Sequence, residues 1–241
     1  MSYSVIDIKK SMPEAKKKTD KLDLWVSIFA RPLSYYITWI LLKFGVSASG
    51  TSILALIIGS VGSLLLLTGS FYVGFIGVLL INLWIVIDCA DGNVARVTQT
   101  TSKFGELLDA ISGYIFVCVL YTCLGLAAYL YEGILPIPTN YKWIFILAGA
   151  IASLSSILPR LIEHKAINLI PNYHSNITKK GSYNLLYVIA FNIGAMSGLM
   201  LPLMLIAYIF NSLDIYILFY SIFHFAVAGV AILKTIKKAR L

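Results

Sequence analysis

The sequence predicts an all-α, polytopic membrane protein: six transmembrane helices preceded by an N-terminal interfacial amphipathic helix, with both termini cytoplasmic. Three observations predict it. Of 241 residues, 59% are hydrophobic and 12% charged, and mean hydropathy is +0.85, far too apolar for an ordinary soluble domain. Uninterrupted apolar runs reach the roughly 20 residues that a helix needs to cross about 30 Å of hydrocarbon. Basic residues, finally, fall almost wholly on one side of those runs.

Residues 1–23 carry Lys9, Lys10, Lys16, Lys17, Lys18 and Lys21 among polar neighbours and are expected to form a basic, mobile cytoplasmic arm on an anionic membrane surface. No short apolar core with a small-residue cleavage site follows, so the segment does not resemble a secretory signal. Residues 24–46 are rich in Trp, Tyr and Phe, are interrupted by Arg31-Pro32 and reach Lys43 near their end, a pattern suited to a helix lying in the interface.

Residues 47–241 are expected to form the six-helix membrane domain, with spans at about 51–69, 72–96, 103–131, 143–164, 183–209 and 214–234. Gly69-Ser70 allows only a tight connection, and Pro136-Ile137-Pro138 marks a loop that cannot continue a helix. Residues 165–182 form the longest internal loop. With the N-terminus inside, the inner segments hold the N-terminal lysines, Arg31, Lys43, Arg96, Lys103, Lys165, Lys179, Lys180 and the C-terminal cluster, whereas the outer loops hold only Lys142. Topology therefore accounts for the net charge of +8, and no nucleic-acid partner is needed. Cys89, Cys118 and Cys123 lack CxxC spacing and lie in apolar runs, which argues against a disulfide framework or a zinc site.

A charged group at membrane depth costs about 2.5–3.5 kcal/mol, so intramembrane carboxylates point to function. Asp88 and Asp91 lie near the inner end of the second span, at i and i+3 on one helix face, and Asp109 lies near the start of the third. Gly105, Asp109 and Gly113 form an i, i+4, i+8 stripe that permits close approach. Two antiparallel spans can thus bring three carboxylates to one point, where like charges need a cation. Oxygen-only ligands favour a hard ion, Mg²⁺ or Mn²⁺, and such an ion commonly shares its shell with substrate phosphate. Arg96 offers a forked donor to the same ligand.

The string Asp88-x2-Asp91-Gly92-x2-Ala95-Arg96-x8-Gly105-x3-Asp109 resembles the signature of the CDP-alcohol phosphotransferase family, DxxDGxxAR followed by eight residues and GxxxDxxxD. The resemblance extends over most of the chain from about Leu24. It implies a membrane enzyme, with its site at the cytoplasmic face, that cleaves the pyrophosphate of a CDP-linked donor, releases CMP and passes the phosphoryl-linked group to an acceptor. Lipid enters as donor or as acceptor. By position, Asp88, Asp91 and Asp109 look like catalytic metal ligands, and Gly92, Ala95, Arg96 and Gly105 like the cradle for cytidine and diphosphate.

The final Asp of the pattern falls on Gly113. Four explanations stay open: a weak or missing second metal; a substitute base such as Glu106, Glu163, Tyr114 or water; an acceptor that is already anionic; or loss of turnover, leaving a protein that binds CDP-linked ligand or lipid only. Glu106 is poorly placed as a substitute, about 100° around the helix from the glycine stripe. Arg160, deep in the fourth span, is a candidate phosphate ligand, as are Lys179 and Lys180 more weakly. Gly194 and Gly198 form a GxxxG that marks either packing within the chain or a homodimer face. Two other readings fit less well. An intramembrane prenyltransferase needs a second Asp-rich motif, and a transporter needs polar groups along the outer halves of the spans.

Overall fold

A computed structural model describes residues 3–170 and 185–239, and the elements in it are helical throughout. In chain order they are α1 (Val5–Lys10), α2 (Glu14–Asp20), a π-helical turn (Val26–Ala30), α3 (Arg31–Lys43), α4 (Ala48–Leu65), α5 (Phe71–Val97), α6 (Lys103–Leu130), α7 (Trp143–Leu169), α8 (Leu185–Gly194), α9 (Met200–Ile209) and α10 (Leu213–Ala239). Among the described residues five helical stretches are long and apolar enough to cross a membrane: Ala48–Thr68, Phe71–Val97, Lys103–Leu130, Thr139–Leu169 and Leu213–Ala239. The chain is therefore an integral membrane protein by length and composition.

Instead of a single helix over 183–209, the described part of that segment contains two ten-residue helices, α8 and α9, separated by turns. The apolar pattern is continuous there, but the backbone is diverted by Asn192, Ser197 and Gly198. The Leu199 N–H donates to the Asn192 carbonyl at 2.6 Å, and Gly198 packs on the Asn192 backbone, where a side chain would have no room. Non-helical backbone at membrane depth needs protein partners. Here they come from the start of the chain: the Leu24 N–H donates to Asn192 Oδ1 at 2.8 Å, Asn192 Nδ2 donates to the Leu22 carbonyl at 2.8 Å, and the Val26 N–H donates to the Ser197 carbonyl at 2.9 Å. Gly194 lies against the Phe223 ring of α10, so both glycines of the GxxxG pack within this one chain.

Within residues 3–23 lie the two short helices α1 and α2. Ser4 caps α1 reciprocally with Asp7, and Ile8 and Met12 are buried, with the Tyr35 hydroxyl donating to Met12 Sδ at 3.1 Å. From Leu24 to Lys43 the chain is one continuous helix in which the π turn precedes Pro32. A proline has no N–H for the preceding turn and crowds its carbonyl, and a local π widening absorbs that misfit. Lys43 lies 3.6 Å above the Trp39 ring, and Lys9 sits 5.6 Å from that of Tyr35.

The core is built by close helix contact. Trp84 of α5 stacks on Phe116 of α6 at 4.1 Å between centroids, with Gly59 of α4 leaving the space they fill. Gly62 of α4 faces Gly77 of α5, and a Cβ on Gly62 would lie 2.7 Å from the Gly77 carbonyl oxygen and 2.9 Å from Leu80 Cβ. Small residues that let backbones approach are what holds helices together where no hydrophobic effect operates. Gly62→Val is accordingly expected to force α4 and α5 apart and cost about 1–3 kcal/mol, read as a lower melting temperature in detergent. A wild-type melting temperature would contradict the packing described.

Candidate active site

The site forms where the C-terminal end of α5 meets the first turns of α4 and α6. Two serine caps start those helices: Ser47 Oγ accepts the Gly50 N–H at 3.1 Å on α4, and Ser102 Oγ accepts the Gly105 N–H at 3.0 Å on α6. One turn further in, Ser52 of α4 and Asp109 of α6 face Asp88 and Asp91 of α5. Carboxylate oxygens of Asp88, Asp91 and Asp109 lie within 4.8 Å of one another.

Asp91 is buried. Its Oδ2 accepts the Ser52 hydroxyl at 2.6 Å, and its other oxygen takes the Gly92 N–H. Asp88 is half-buried and Asp109 is exposed at the open side. Unit charges this close repel by about 3–4 kcal/mol per pair at an effective dielectric of about 20. A divalent cation removes that cost, and three carboxylates without nitrogen or sulfur donors suit a hard one. The residues present therefore fit a metal ion.

A cavity of about 300 Å³ opens on the triad. Gly92 and Arg96 of α5 line it, together with Lys16 and Asp20 of α2, Arg31 of α3 and Ser197 from the turn between α8 and α9. Arg96 folds back over Gly92: a Cβ there would come within 3.0 Å of Arg96 Nη1, so the glycine makes room for the guanidinium. Arg96 Nη2 donates to Asn93 Oδ1 at 2.7 Å, while its buried Nε lacks a hydrogen-bond partner in the structure.

Asn93, 1% exposed, ties this arginine to α3. Its Oδ1 also accepts from Arg31 Nη1 at 3.3 Å, and its Nδ2 donates to Ser34 Oγ at 3.0 Å and Thr38 Oγ1 at 3.2 Å. Arg31 in turn donates through Nε to Asp20 Oδ2 at 2.7 Å and through Nη1 to the Cys89 carbonyl at 3.1 Å. The α2–α3 segment is thus bolted to the helix that carries Asp88 and Asp91.

Asp88, Asp91, Gly92, Arg96 and Asp109 all line the cavity. Ala95 is half-buried on α5 without lining it, and the Gly105 N–H is engaged by the Ser102 cap. Arg160 is exposed on α7 and is not brought to this cavity. Lys179 and Lys180 lie outside the described residues. Sequence reasoning missed Lys16, Asp20, Ser52 and Asn93, and treated Arg31 only as flanking charge. The available signal was the i, i+4 spacing of Lys16 and Asp20, followed by an arginine embedded in an aromatic, apolar run.

Fold and site together define a helical membrane protein with a carboxylate-lined, metal-competent cavity at one end of its bundle. The family model for CDP-alcohol phosphatidyltransferase matches residues 46–233, so the chain belongs to that family and is a membrane phosphotransferase by class. Among curated proteins no relative matches the chain.

Proposed function

We propose that this protein transfers a phospho-alcohol or phosphatidyl group from a CDP-linked donor to a lipid or alcohol acceptor, releasing CMP at the cytoplasmic face of the membrane. The observation that carries it is the convergence of Asp88, Asp91 and Asp109 within 4.8 Å, in one cavity with an arginine whose Nε has no partner. Asp88, Asp91 and Asp109 would hold Mg²⁺ or Mn²⁺, which when bound offsets charge developing on the diphosphate. Arg96, which lines the cavity and is tethered through Nη2 to Asn93, would donate from its guanidinium to a phosphate oxygen. In the reaction an acceptor oxygen forms a new bond to the phosphorus remote from cytidine, and the bond to the CMP oxygen breaks, CMP leaving with the electron pair; an alcohol acceptor gives up its proton to water, and a phosphate anion has none to lose.

The excess of basic residues at the end where Asp88, Asp91 and Asp109 lie supports a cytoplasmic site and cytoplasmic termini, with residues 1–23 and 24–46 on that surface and 47–241 in the bilayer. Contacts at the far end support a sixth crossing by α8 and α9. The Asp214 carboxylate at the start of α10 accepts the Leu135 N–H at 2.7 Å, beyond α6, and the Tyr208 hydroxyl of α9 donates to the Phe71 carbonyl at the start of α5 at 2.9 Å. A return of the chain across the bilayer after α7 would bring these groups to that end.

The deciding experiment is CMP release by purified protein with Mg²⁺ or Mn²⁺, offered CDP-diacylglycerol and several CDP-alcohols against neutral and phosphate-bearing acceptors. Metal-dependent release establishes the reading and names the pair. Retention of CDP-linked ligand without release across the panel instead favours a binding protein without turnover.

Gly113 supplies a further prediction. A Cβ built there meets nothing within 4 Å, so an aspartate fits without displacing a neighbour. If the acceptor arrives as a phosphate anion, no base is needed, and the added charge of Gly113→Asp opposes it. The variant is expected to keep the wild-type melting temperature, release CMP about tenfold more slowly with a phosphate-bearing acceptor, and gain with a neutral alcohol. Faster release with both acceptor types would show that the wild type simply lacks a base.

A further inference from the structure

Resting on the phosphotransfer reading, we propose that Lys16, on the N-terminal helix α2 and outside the segment that matches the family, is a substrate-binding residue that contacts a phosphate in the cavity. Five carboxylates line that cavity, Asp20, Asp23, Asp88, Asp91 and Asp109, against three cations, Lys16, Arg31 and Arg96. A divalent ion on the triad would bring the inventory close to neutral. A diphosphate or a second phosphate then needs, beside Arg96, a further cation whose donors are not already spent.

Arg31 does not meet that need. Its Nε and Nη1 are committed to Asp20, the Cys89 carbonyl and Asn93, and its side chain is only 10% exposed. Lys16 is different. Its Nζ lies 3.3 Å from Asp20 Oδ1, and Asp20 is already engaged by Arg31 at 2.7 Å, so Lys16 shares that carboxylate with a second, closer cation. An ammonium has three donors, and the Lys16 side chain is 47% exposed, so it can turn toward a ligand.

Geometry separates Lys16 from its neighbours in the lysine run. Lys17 pairs outward with the exposed Glu14 at 2.7 Å, and neither it nor Lys18 lines the cavity. Lys16 and Asp20 share a face of α2 at i and i+4, and that face roofs the site. Asp20 and Arg31 hold the roof in place, leaving Lys16 as its more exposed cation.

The phosphate can belong to the donor diphosphate or to an anionic acceptor, and kinetics separates the two. Wild type, Lys16→Ala, Lys16→Arg and Lys16→Glu are compared for CMP release while donor and acceptor are varied independently, with melting temperatures recorded alongside. Lys16→Ala is expected to raise one KM about tenfold with a smaller change in kcat, Lys16→Arg to stay within about threefold of wild type, and Lys16→Glu to lose about a hundredfold or more in kcat/KM. A raised donor KM assigns Lys16 to the diphosphate; a raised acceptor KM assigns it to an acceptor phosphate. Unchanged KM values in Lys16→Ala, or a lowered melting temperature with both KM values intact, overturn the proposal while leaving the phosphotransfer reading standing. A wild-type protein that neither releases CMP nor retains a CDP-linked ligand overturns that reading first, and this inference with it.

Discussion

Asp91→Asn is expected to reduce metal-dependent CMP release by on the order of 10³-fold or more, with little change in folding. The substitution preserves shape: the asparagine oxygen can take the Gly92 N–H while its Nδ2 donates to Ser52 Oγ, now 2.6 Å from Asp91 Oδ2, so the packing of α4 against α5 survives. What is lost is a negative charge in the place where three oxygens converge within 4.8 Å. Two carboxylates hold a divalent ion more weakly than three, and the transition state loses the stabilisation that the ion supplied. The check is a metal titration of CMP release in both proteins beside their melting temperatures. Activity within about tenfold of wild type would place the metal, or the chemistry, elsewhere.

Arg31→Ala is expected to be the most damaging change outside the triad. The Asp20–Arg31 pair has side chains only 6% and 10% exposed, and removing Arg31 leaves the buried Asp20 carboxylate with Lys16 alone at 3.3 Å, a loss toward the lower end of the about 3–5 kcal/mol typical of a broken buried pair. The loss also removes the Arg31 bonds to Asn93 Oδ1 and the Cys89 carbonyl, so the asparagine that holds Arg96 and the α5 backbone next to Asp88 lose support together. Thermal unfolding in detergent should show a large drop for Arg31→Ala, and Asp20→Asn combined with Arg31→Gln should lose less than the two single changes added together. Strict additivity would mean that the pair is not coupled.

Much of the bundle is legible in the sequence because transmembrane helices announce themselves locally, through length and apolarity. Asp88, Asp91 and Asp109 were legible for the converse reason, as carboxylates where carboxylates are costly. The break between α8 and α9 was not, because nothing within 183–209 interrupts the hydropathy. It depends on Asn192 and Ser197 meeting backbone groups of Leu22, Leu24 and Val26, which periodicity cannot register. The helices of the N-terminal segment were hidden by their lysines. Few apolar anchors, chiefly Ile8 and Met12, dock them, and the polar contacts of Asp20 and Lys16 look like ordinary surface charge until Arg31 and the cavity are seen beside them.

The contacts between the Leu22–Val26 segment and Asn192 also set an order of events during synthesis. The Leu24 amide and its asparagine acceptor are 168 residues apart. At about 5–20 residues per second, a ribosome needs roughly 10–30 s to supply the second after the first. Through that interval the roof can fasten to α5 by Arg31, but its final backbone partners do not yet exist. A chain halted before α8 would therefore carry all three aspartates and still lack the Ser197 wall of the cavity, so truncated products are expected to bind ligand there less well than the full chain.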